Sequence, residues 1–589
     1  MNEVFDPSVS AFLNALLREW TGWRLVEGDE TAALVEGQAR RAVEIPLRSH
    51  EAVLYVPVRR LSRAGRHRLL SPARLRERDG AVRPVPFQEL ATLIVQEPDI
   101  VGRVTRDEVQ RFLPRVLSSA QNIVLNLEAR TGDLERIFSA PLDFIEAEQA
   151  LLTGHSIHPT PKSRDGLSDA DARLYAPELA GAFPLRWFAV RKERWVARSV
   201  EGAASPDDAV RQLLGAESVP HDADLPVAPE GYALLPAHPW QVTRWASSEP
   251  VQRCLAREDL LDLGAQGGSW TATSSLRTVY SAHSPWMLKF STSLRLTNSL
   301  RTLSVAELER GLLLSRVLTT PQGQELARRY PRFHILPEPL YLGLRGDDGS
   351  PLEETTVAFR ENPFQGTGWS DTTMLATLLQ DHPRRGVSRL AHQIGTRARA
   401  EGRSPSQAAL QWFRAFLDVV LEPMLIARSD YGLLLSAHQQ NLILRLRDGM
   451  PERVWFRDCQ GTAYSDVAVR VFEADAEAIA ANTFSGERAD YFFSYSVVIN
   501  AVFNVIASLS IDELTAEQEL LAVLRSFLDD LRHRPLRDRG CLDYLLDSPR
   551  LWSKGNFFCC LRAINESTID DPLEIYHQVD NPLRLAHTA

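Results

Sequence analysis

The stretch from Thr273 to Arg301 constrains the fold of this chain more than any other segment. In its second half, apolar residues share one parity and polar residues share the other: Leu288, Phe290, Leu294 and Leu296 against Lys289, Ser291, Ser293, Arg295 and Thr297. Such alternation predicts a half-buried β-strand with one apolar face and one cationic, hydroxyl-bearing face.

The first half of the stretch predicts a partner strand. From Thr273 to Tyr280 it places Ser275 and Arg277 on one parity, and a Ser-Pro pair at 284–285 separates the two halves. A hairpin follows from this pattern. We expect the chain to enter a helix near Thr297 or Asn298, because both are good N-cap residues.

The charge of this hairpin indicates a ligand. Between Asp262 and Glu307 there is no acidic residue, whereas four cations fall there: Arg277, Lys289, Arg295 and Arg301. In a chain of net charge -10, a sheet that gathers cations and hydroxyls in this way suits a polyanion. A solvated sheet face is the alternative interpretation.

Composition narrows the class of protein. A length of 589 residues favours three or four domains, and 44% apolar with 24% charged residues is ordinary for a soluble globular protein. The negative net charge argues against nucleic acid as a partner. We find neither an uninterrupted apolar run of transmembrane length nor a signal peptide. The five cysteines are odd in number and form no CxxC pair, so we expect free thiols in a soluble cytoplasmic protein.

Hydrophobic periodicity divides the chain into three segments. Residues 1–150 are mainly helical by pattern, with EAVLYVPV as a strand between the helices. Residues 151–365 are rich in short strands and contain the hairpin. Residues 366–589 return to helix, interrupted by the strands NLILRLR and RVWFRD. We therefore predict an α+β fold with a central antiparallel sheet.

A polar loop lies at the end of the first segment. His155 and His158 are followed by Pro159, Lys162 and Arg164. Two histidines three residues apart suit a metal ion, but carboxylate or thiol partners are missing from the loop. His, Lys and Arg together are better suited to phosphate oxygens, to which each can donate a charge-assisted hydrogen bond. A structural loop with solvated charges is the third possibility.

Three further groups of residues suit a nucleotide and an acid. In the hairpin, Ser275, Arg277, Thr278 and Lys289 could hold phosphates, whereas Thr297 and Arg301 suit a carboxylate. In the last segment, the loop Ala437-His438-Gln439-Gln440-Asn441 is followed by Arg457-Asp458-Cys459-Gln460-Gly461. Asn441 and Asp458 could position a divalent cation on a nucleotide. A lone loop histidine such as His438 can also be purely structural. There is no P-loop, HExxH or GxSxG motif.

Five motifs occur in a fixed order: GHxxHPxxKxR from Gly154, SxRTV…K…T…R in the hairpin, FRENP from Phe359, AHxQN from Ala437 and RDxQG from Arg457. In this combination the chain resembles the IucA/IucC family of NRPS-independent siderophore (NIS) synthetases. The resemblance covers the chain from about residue 145 onward.

The resemblance implies both a fold and an activity. Members of the family have a cupped-hand architecture with an N-terminal thumb, a sheet-rich fingers region and a helical, distantly kinase-like palm. They use ATP and Mg²⁺ to adenylate a carboxylate, commonly citrate, and pass the acyl group to an amine or alcohol, releasing AMP and pyrophosphate. They are commonly dimers. The TNSLR form of the substrate motif from Thr297 looks like that of members that take free citrate.

Motif positions imply the roles of individual residues. The ATP and metal site would contain His158, Ser275, Arg277, Thr278, Lys289, Gln440, Asn441 and Asp458, with Asn441 and Asp458 on the metal. The carboxylate would be bound by Thr297, Arg301, Arg360 and His438. The catalytic groups would be His158, Arg277, Lys289 and His438.

One position departs from the family pattern. Many members carry Glu two residues before the AHxQN histidine, where this chain has Ser436. If that Glu helps to hold the metal, Asp458 and Asn441 must contribute more here. Two other functions stay open: a small-molecule kinase, which would release ADP, and a non-catalytic homologue that binds a carboxylate or nucleotide.

Overall fold

The architecture mixes α-helices with mostly antiparallel sheets. A computed structural model describes residues 4–28, 41–217, 225–296, 299–565 and 568–585. The largest sheet has eight antiparallel strands, in this spatial order: Tyr232–Ala237, Ala182–Arg191, Leu260–Ala272, Thr278–Tyr280, Trp286–Phe290, Val357–Glu361, Leu340–Leu344 and Trp195–Ser199. The predicted central antiparallel sheet is confirmed.

The predicted hairpin forms the middle of this sheet. Thr278–Tyr280 pairs antiparallel with Trp286–Phe290, with Thr278 opposite Lys289. The pairing strand is shorter than expected, because the chain turns between Thr273 and Thr278, with Leu276 at φ 65°. Leu276 packs with Trp240 and Leu294, which offsets the cost of this backbone conformation. Ser275 and Arg277 therefore lie in a turn rather than on a strand face.

The helix expected near Thr297 begins later. Ser299–Leu300 pairs with Arg295–Leu296 as a short strand, and the helix Val305–Thr319 follows. Ser304 is its N-cap, and Glu307 completes a capping box. Thr297 and Asn298 lie outside the described residues.

The first segment contains more strand than its pattern indicated. EAVLYVPV corresponds to the strand Ala52–Arg60, which belongs to a six-stranded sheet. The other strands of that sheet are Arg24–Glu27, Arg41–Leu47, Arg68–Leu69, Ala73–Arg76 and Val82–Val85. The helices of this segment are Pro7–Glu19, Phe87–Val95, Pro98–Val101, Arg106–Ala129, Leu134–Ser139 and Phe144–Gln149. Several of these strands are short and polar, so their periodicity is weak.

The middle segment adds helices around the large sheet. They are Asp169–Tyr175, Pro206–Glu217, Pro239–Trp245, Glu249–Ala256, Val305–Thr319 and Pro321–Arg329. A three-stranded sheet of Arg164–Asp165, Arg295–Leu296 and Ser299–Leu300 joins the end of the polar loop to the residues after the hairpin.

The last segment surrounds a four-stranded sheet of Phe333–Ile335, Met450–Phe456, Leu442–Arg447 and Thr372–Met374. Two-stranded sheets pair Leu433–Leu434 with Ala463–Tyr464 and Arg550–Lys554 with Tyr576–Asp580. Its α-helices are Leu375–Leu378, Arg389–Glu401, Pro405–Phe416, Glu422–Tyr431, Asp466–Val471, Ala476–Ala480, Glu487–Phe493, Phe503–Ile511, Glu517–Arg532, Gly540–Asp547, Phe557–Arg562 and Pro582–Leu585. Two segments of the described chain, Leu417–Leu421 and Ser494–Val502, are π-helical.

One continuous helical stretch, Glu487–Ile511, has the length and apolarity of a membrane span. Of its most apolar window, 89% is buried inside the protein. A core helix satisfies the same test, and this stretch contributes Val497, Ile499 and Phe503 to the largest hydrophobic core.

Candidate active site

Lys289 and Asp458, which are far apart in the sequence, form an ion pair. The ammonium of Lys289, on the hairpin, forms an ion pair with Asp458 Oδ1, and Glu338 Oε1 lies 3.7 Å from the same nitrogen. The Lys289 side chain is 3% exposed, whereas that of Asp458 is 31% exposed. The hairpin therefore converges with the last segment of the chain, and the alternative of a solvated sheet face is wrong for Lys289.

The cations of the hairpin and of its neighbouring strand have counter-charges that come from distant segments. Arg360 donates from Nε and Nη2 to Glu338 Oε1 at 2.9 and 2.5 Å, and its Nη2 lies 4.0 Å from Asp458 Oδ1. Burial lowers the pKa of Lys289 despite these carboxylates. Burial alone would raise the pKa of Asp458, but the charges of Lys289, Arg360 and Arg277 hold it well below its usual range. Asp458 is therefore ionised at neutral pH.

Arg277 connects the hairpin to the residues that follow it. Its Nη1 donates to the carbonyl oxygens of Arg301 and Thr302 at 2.9 and 3.1 Å. In the same turn, the Thr278 amide donates to Ser275 Oγ at 3.2 Å. Arg277 is buried, and burial lowers the pKa of its guanidinium. A buried arginine that fixes the backbone at Arg301 couples the predicted phosphate and carboxylate sites.

The AHxQN segment alternates in exposure. Ser436, His438 and Gln440 are half-buried, whereas Ala437 and Gln439 are buried. Asn441, the next residue, is buried. Its Nδ2 donates to the Ser436 carbonyl at 3.0 Å and lies 3.2 Å from His438 Nε2. An amide N–H facing Nε2 leaves the proton of the neutral ring on Nδ1. Burial lowers the pKa of His438 to about 4.

Arg457 and Glu148 form a buried support that the sequence did not reveal. Arg457 Nη1 lies 2.7 Å from Glu148 Oε1, and its Nη2 donates to the Gln440 carbonyl at 2.8 Å. Glu148 Oε2 also accepts from the Ser274 amide at 2.9 Å. Gln440 Nε2 donates to Ser274 Oγ at 3.3 Å. One ion pair therefore links the hairpin turn to both loops of the last segment.

The histidine loop is held against the same region. Asn500, in a π-helical turn, accepts from the Gln439 amide at 3.1 Å, and its Nδ2 lies 3.3 Å from His155 Nε2. Such π-helical turns occur frequently at functional sites. The rings of His155 and His158 are 6.2 Å apart. Burial lowers the pKa of His155 to about 3 and that of His158 well below its usual value, so both rings are neutral.

The C-terminal part of the chain is hydrogen-bonded to the backbone of the histidine loop. Asn556 Nδ2 donates to the Ile157 carbonyl at 2.9 Å, between the two histidines. Glu19, at the end of the first helix, accepts from the amides of residues 557 and 558 at 2.7 and 3.0 Å. Lys554, which the sequence analysis missed, lowers the pKa of His155, His158 and His438 through its charge.

The structure bears on the predicted roles of two further residues of the histidine loop, Lys162 and Arg164. Lys162 forms a buried ion pair with Glu178, and Arg164 lies 3.8 Å from the same carboxylate. Their side chains are 8% and 7% exposed and share one carboxylate, which favours a structural role for Lys162 and Arg164 over phosphate binding. A two-histidine metal site is not supported either, because His155 and His158 both accept backbone N–H groups at Nδ1.

The predicted carboxylate-binding residues are partly described. Arg301 accepts from the Thr292 amide at 2.9 Å through its carbonyl, and its charge acts on His158 and His438. Arg360 lies on the strand Val357–Glu361, directly beside Trp286–Phe290. Thr297 falls outside the described residues.

The donor set fits a magnesium ion. Mg²⁺ prefers oxygen ligands, keeps several waters and needs only one or two protein carboxylates beside phosphate oxygens. Asp458 supplies a half-exposed carboxylate and Asn441 an amide oxygen. A Cβ placed on Gly461 would lie 3.5 Å from both Asp458 Oδ2 and Ser436 Cβ. In the described part of the chain, no three His, Cys, Asp or Glu residues gather as an ion site.

Comparisons with known proteins identify the family of this chain. The model of the IucA / IucC family matches residues 143–380, and that of the ferric iron reductase FhuF-like transporter family matches residues 410–569. The N(2)-citryl-N(6)-acetyl-N(6)-hydroxylysine synthase of Vibrio mimicus is 35% identical, over 98% of this chain and 95% of its own length. The spermidine-citrate ligase of Bacillus anthracis is 33% identical, over 85% and 84%.

The fold agrees as well. ATP-bound aerobactin synthetase IucA from Klebsiella pneumoniae superimposes with a TM-score of 0.88 and 34% identity, covering 98% of this chain and 99% of that one. These relatives define the class of protein as a siderophore-forming ligase. The chain belongs to the IucA/IucC family of NIS synthetases, and its activity is that of an ATP-dependent synthetase.

Proposed function

We propose that this synthetase activates citrate as citryl-adenylate and joins it to the amine of an N6-acyl-N6-hydroxylysine. The observation that carries the proposal is the buried Lys289 beside the half-exposed Asp458, at the junction of the hairpin and the two loops. The names of the relatives support the choice of acid and amine. Spermidine is the second candidate amine.

The first half-reaction brings two anions together. An oxygen of the citrate carboxylate attacks the α-phosphorus of ATP, the bond to pyrophosphate breaks, and a mixed anhydride with AMP forms. Lys289 and Arg277 lower the repulsion between carboxylate and phosphate and stabilise the charge that develops on the phosphoryl oxygens. Ser275, Thr278, Gln440 and His158 complete the nucleotide site. The neutral His158 contributes a hydrogen bond rather than a charge.

We assign the acid to Arg301, Arg360 and His438, and to Thr297 by its position in the motif alone. Because His438 Nε2 faces the Asn441 amide, its Nδ1–H serves as a hydrogen-bond donor to a citrate carboxylate. In the second half-reaction the amine attacks the activated carbonyl, AMP leaves, and the amine loses its proton. Asn441 and Asp458 would hold Mg²⁺, which supplies charge neutralisation for the phosphates when bound.

Three features of the predicted organisation belong to the same proposal. They are a three-lobed, distantly kinase-like cupped hand with divisions near residues 150 and 365, a homodimer, and a cytoplasmic location. The five described cysteines are free and buried, which agrees with a reducing compartment.

A hydroxylamine-trapping assay tests the activity. With ATP and citrate we expect hydroxamate, AMP and pyrophosphate, and weaker signals with succinate or 2-oxoglutarate. Citrate with each amine in turn then identifies the nucleophile by mass spectrometry of the product. Release of ADP would indicate a kinase instead, and no hydroxamate from any acid would contradict the ligase.

A further inference from the structure

Glu338 is a buried carboxylate at the candidate site that belongs to none of the five sequence motifs. Its side chain is 1% exposed. Oε1 accepts both hydrogen bonds from Arg360 and lies 3.7 Å from the Lys289 ammonium. Glu338 therefore contacts two of the cations assigned to the nucleotide and the acid.

The fold fixes Glu338 relative to Asp458. The Glu338 amide donates to Ser315 Oγ at 2.9 Å. Two residues earlier, the Leu336 amide donates to the carbonyl of Phe456 at 2.8 Å, and the Leu336 carbonyl accepts from Cys459 Sγ at 3.0 Å. The segment that carries Glu338 is thus bonded on both sides of Asp458, so the two carboxylates approach Lys289 from fixed positions.

The two carboxylates differ in access. Asp458 is 31% exposed and adopts a left-handed backbone conformation, φ 83°, at the end of its strand. Asp458 is therefore accessible to a ligand, whereas Glu338, at 1% exposed, is not. A ligand or cation that engages Asp458 removes one partner from a buried ammonium, and an unpaired buried ammonium is strongly unfavourable. Glu338 is the partner that remains.

We propose that Glu338 is a positioning residue: it is the permanent partner of Lys289 and Arg360, whereas Asp458 releases Lys289 to the phosphates of incoming ATP. Glu338 acts through the two cations and does not touch the substrates. This inference rests on the proposed nucleotide site.

Calorimetric titration of ATP, without acid and without divalent cation, tests the division of roles. Glu338→Gln keeps the size of the side chain and removes its charge, which leaves Asp458 as the carboxylate partner of Lys289 that ATP has to displace; we therefore expect ATP affinity to fall about tenfold. Glu338→Asp keeps the charge at a shorter reach and should lie between the variant and the wild type. Asp458→Asn removes the anion that competes with ATP for Lys289, so metal-free ATP affinity should increase.

Glu178→Gln is the matched control. Glu178 is a buried carboxylate beside a lysine and an arginine, like Glu338, but its partners are Lys162 and Arg164. We expect both Gln variants to lower Tm, and only Glu338→Gln to weaken ATP binding. In a Lys289→Met background, Glu338→Gln should have little further effect on affinity.

The outcomes separate the inference from the function on which it rests. Unchanged ATP affinity in both Glu338 variants, with only Tm lowered, would overturn the positioning role. Additive losses from Lys289→Met and Glu338→Gln would also overturn it. A wild-type protein that does not bind ATP would instead overturn the proposed function first.

Discussion

Two buried groups of a lysine, a glutamate and an arginine lie in this molecule, and they differ in what surrounds them. The first, which we call the cleft triad, is Lys289, Glu338 and Arg360. The second, the sealed triad, is Lys162, Glu178 and Arg164. All six side chains are at most 8% exposed. Burial and ion pairing alone therefore do not identify a functional site.

The difference is one half-exposed carboxylate. In the cleft triad the lysine is also paired with Asp458, which a ligand can reach. The cleft triad is drawn from separate strands and loops, whereas Lys162 and Arg164 are two residues apart in one loop. The sealed triad anchors that loop, whereas the lysine of the cleft triad can exchange its partner Asp458 for a ligand.

The largest predicted effect comes from removing each lysine. Lys289→Met should lower the rate of citrate-dependent pyrophosphate release on the order of 10²-fold or more, because a preorganised cation is lost from the transition state. Lys162→Met should reduce Tm but leave the rate per folded molecule nearly unchanged. Equal rate losses in the two variants would remove the distinction between the triads.

A smaller effect is expected where the cleft triad meets the acid site. Arg277→Lys keeps the charge but cannot bond both carbonyls of residues 301 and 302. We expect KM for ATP and for citrate to rise together, each roughly tenfold. Steady-state kinetics with each substrate varied in turn would measure this. A change confined to ATP would show that Arg277 does not organise the acid site.

The next prediction adds a carboxylate beside Asp458. Ser436→Glu introduces the residue type that many family members carry. Ser436 Cβ and Asp458 Oδ2 both lie 3.5 Å from the position that a Cβ on Gly461 would take, so the new carboxylate would be close to Asp458. The magnesium concentration for half-maximal activity should fall several-fold, since a second carboxylate strengthens oxygen coordination. Ser436→Gln provides the neutral control. No difference between the two variants would remove position 436 from the metal site.

The smallest effect concerns pH and the sealed triad. Burial opposes ionisation of Glu178, but the charges of Lys162 and Arg164 hold its pKa below the usual value. Its stabilising contribution is therefore complete above the unfolded pKa and is lost as pH falls through the folded pKa. The Tm difference between wild type and Glu178→Gln should narrow below about pH 4.3. A constant difference down to pH 3 would contradict the assignment.

The sequence predicts the parts of the site that depend on local pattern. Alternation locates the strand that carries Lys289, and ordered motifs locate Asp458, Asn441 and Arg360. Alternation does not show whether one or both faces of a strand are buried: every residue of Trp286–Phe290 is buried, where a half-buried strand was expected. The six-stranded sheet of the first segment was missed because its short strands carry little periodicity.

Residues that act as counter-ions could not be found from pattern. Glu338 lies between two prolines in a strand-rich stretch, and Glu148 lies in an ordinary amphipathic helix. Their roles come from partners in distant segments, Arg360 with Lys289 and Arg457 respectively. The division into three lobes stays a prediction.

The contact of Asn556 with the histidine loop has a consequence for how the protein is made. The loop needs its hydrogen bond from Asn556, and the helix that begins at Phe557 needs Glu19 as a cap. On the ribosome, the nascent chain therefore carries an incomplete loop until residue 556 has emerged. A molecule whose translation stops earlier keeps the whole hairpin but lacks this hydrogen bond to the histidine loop, so we expect it to be less active than the full chain.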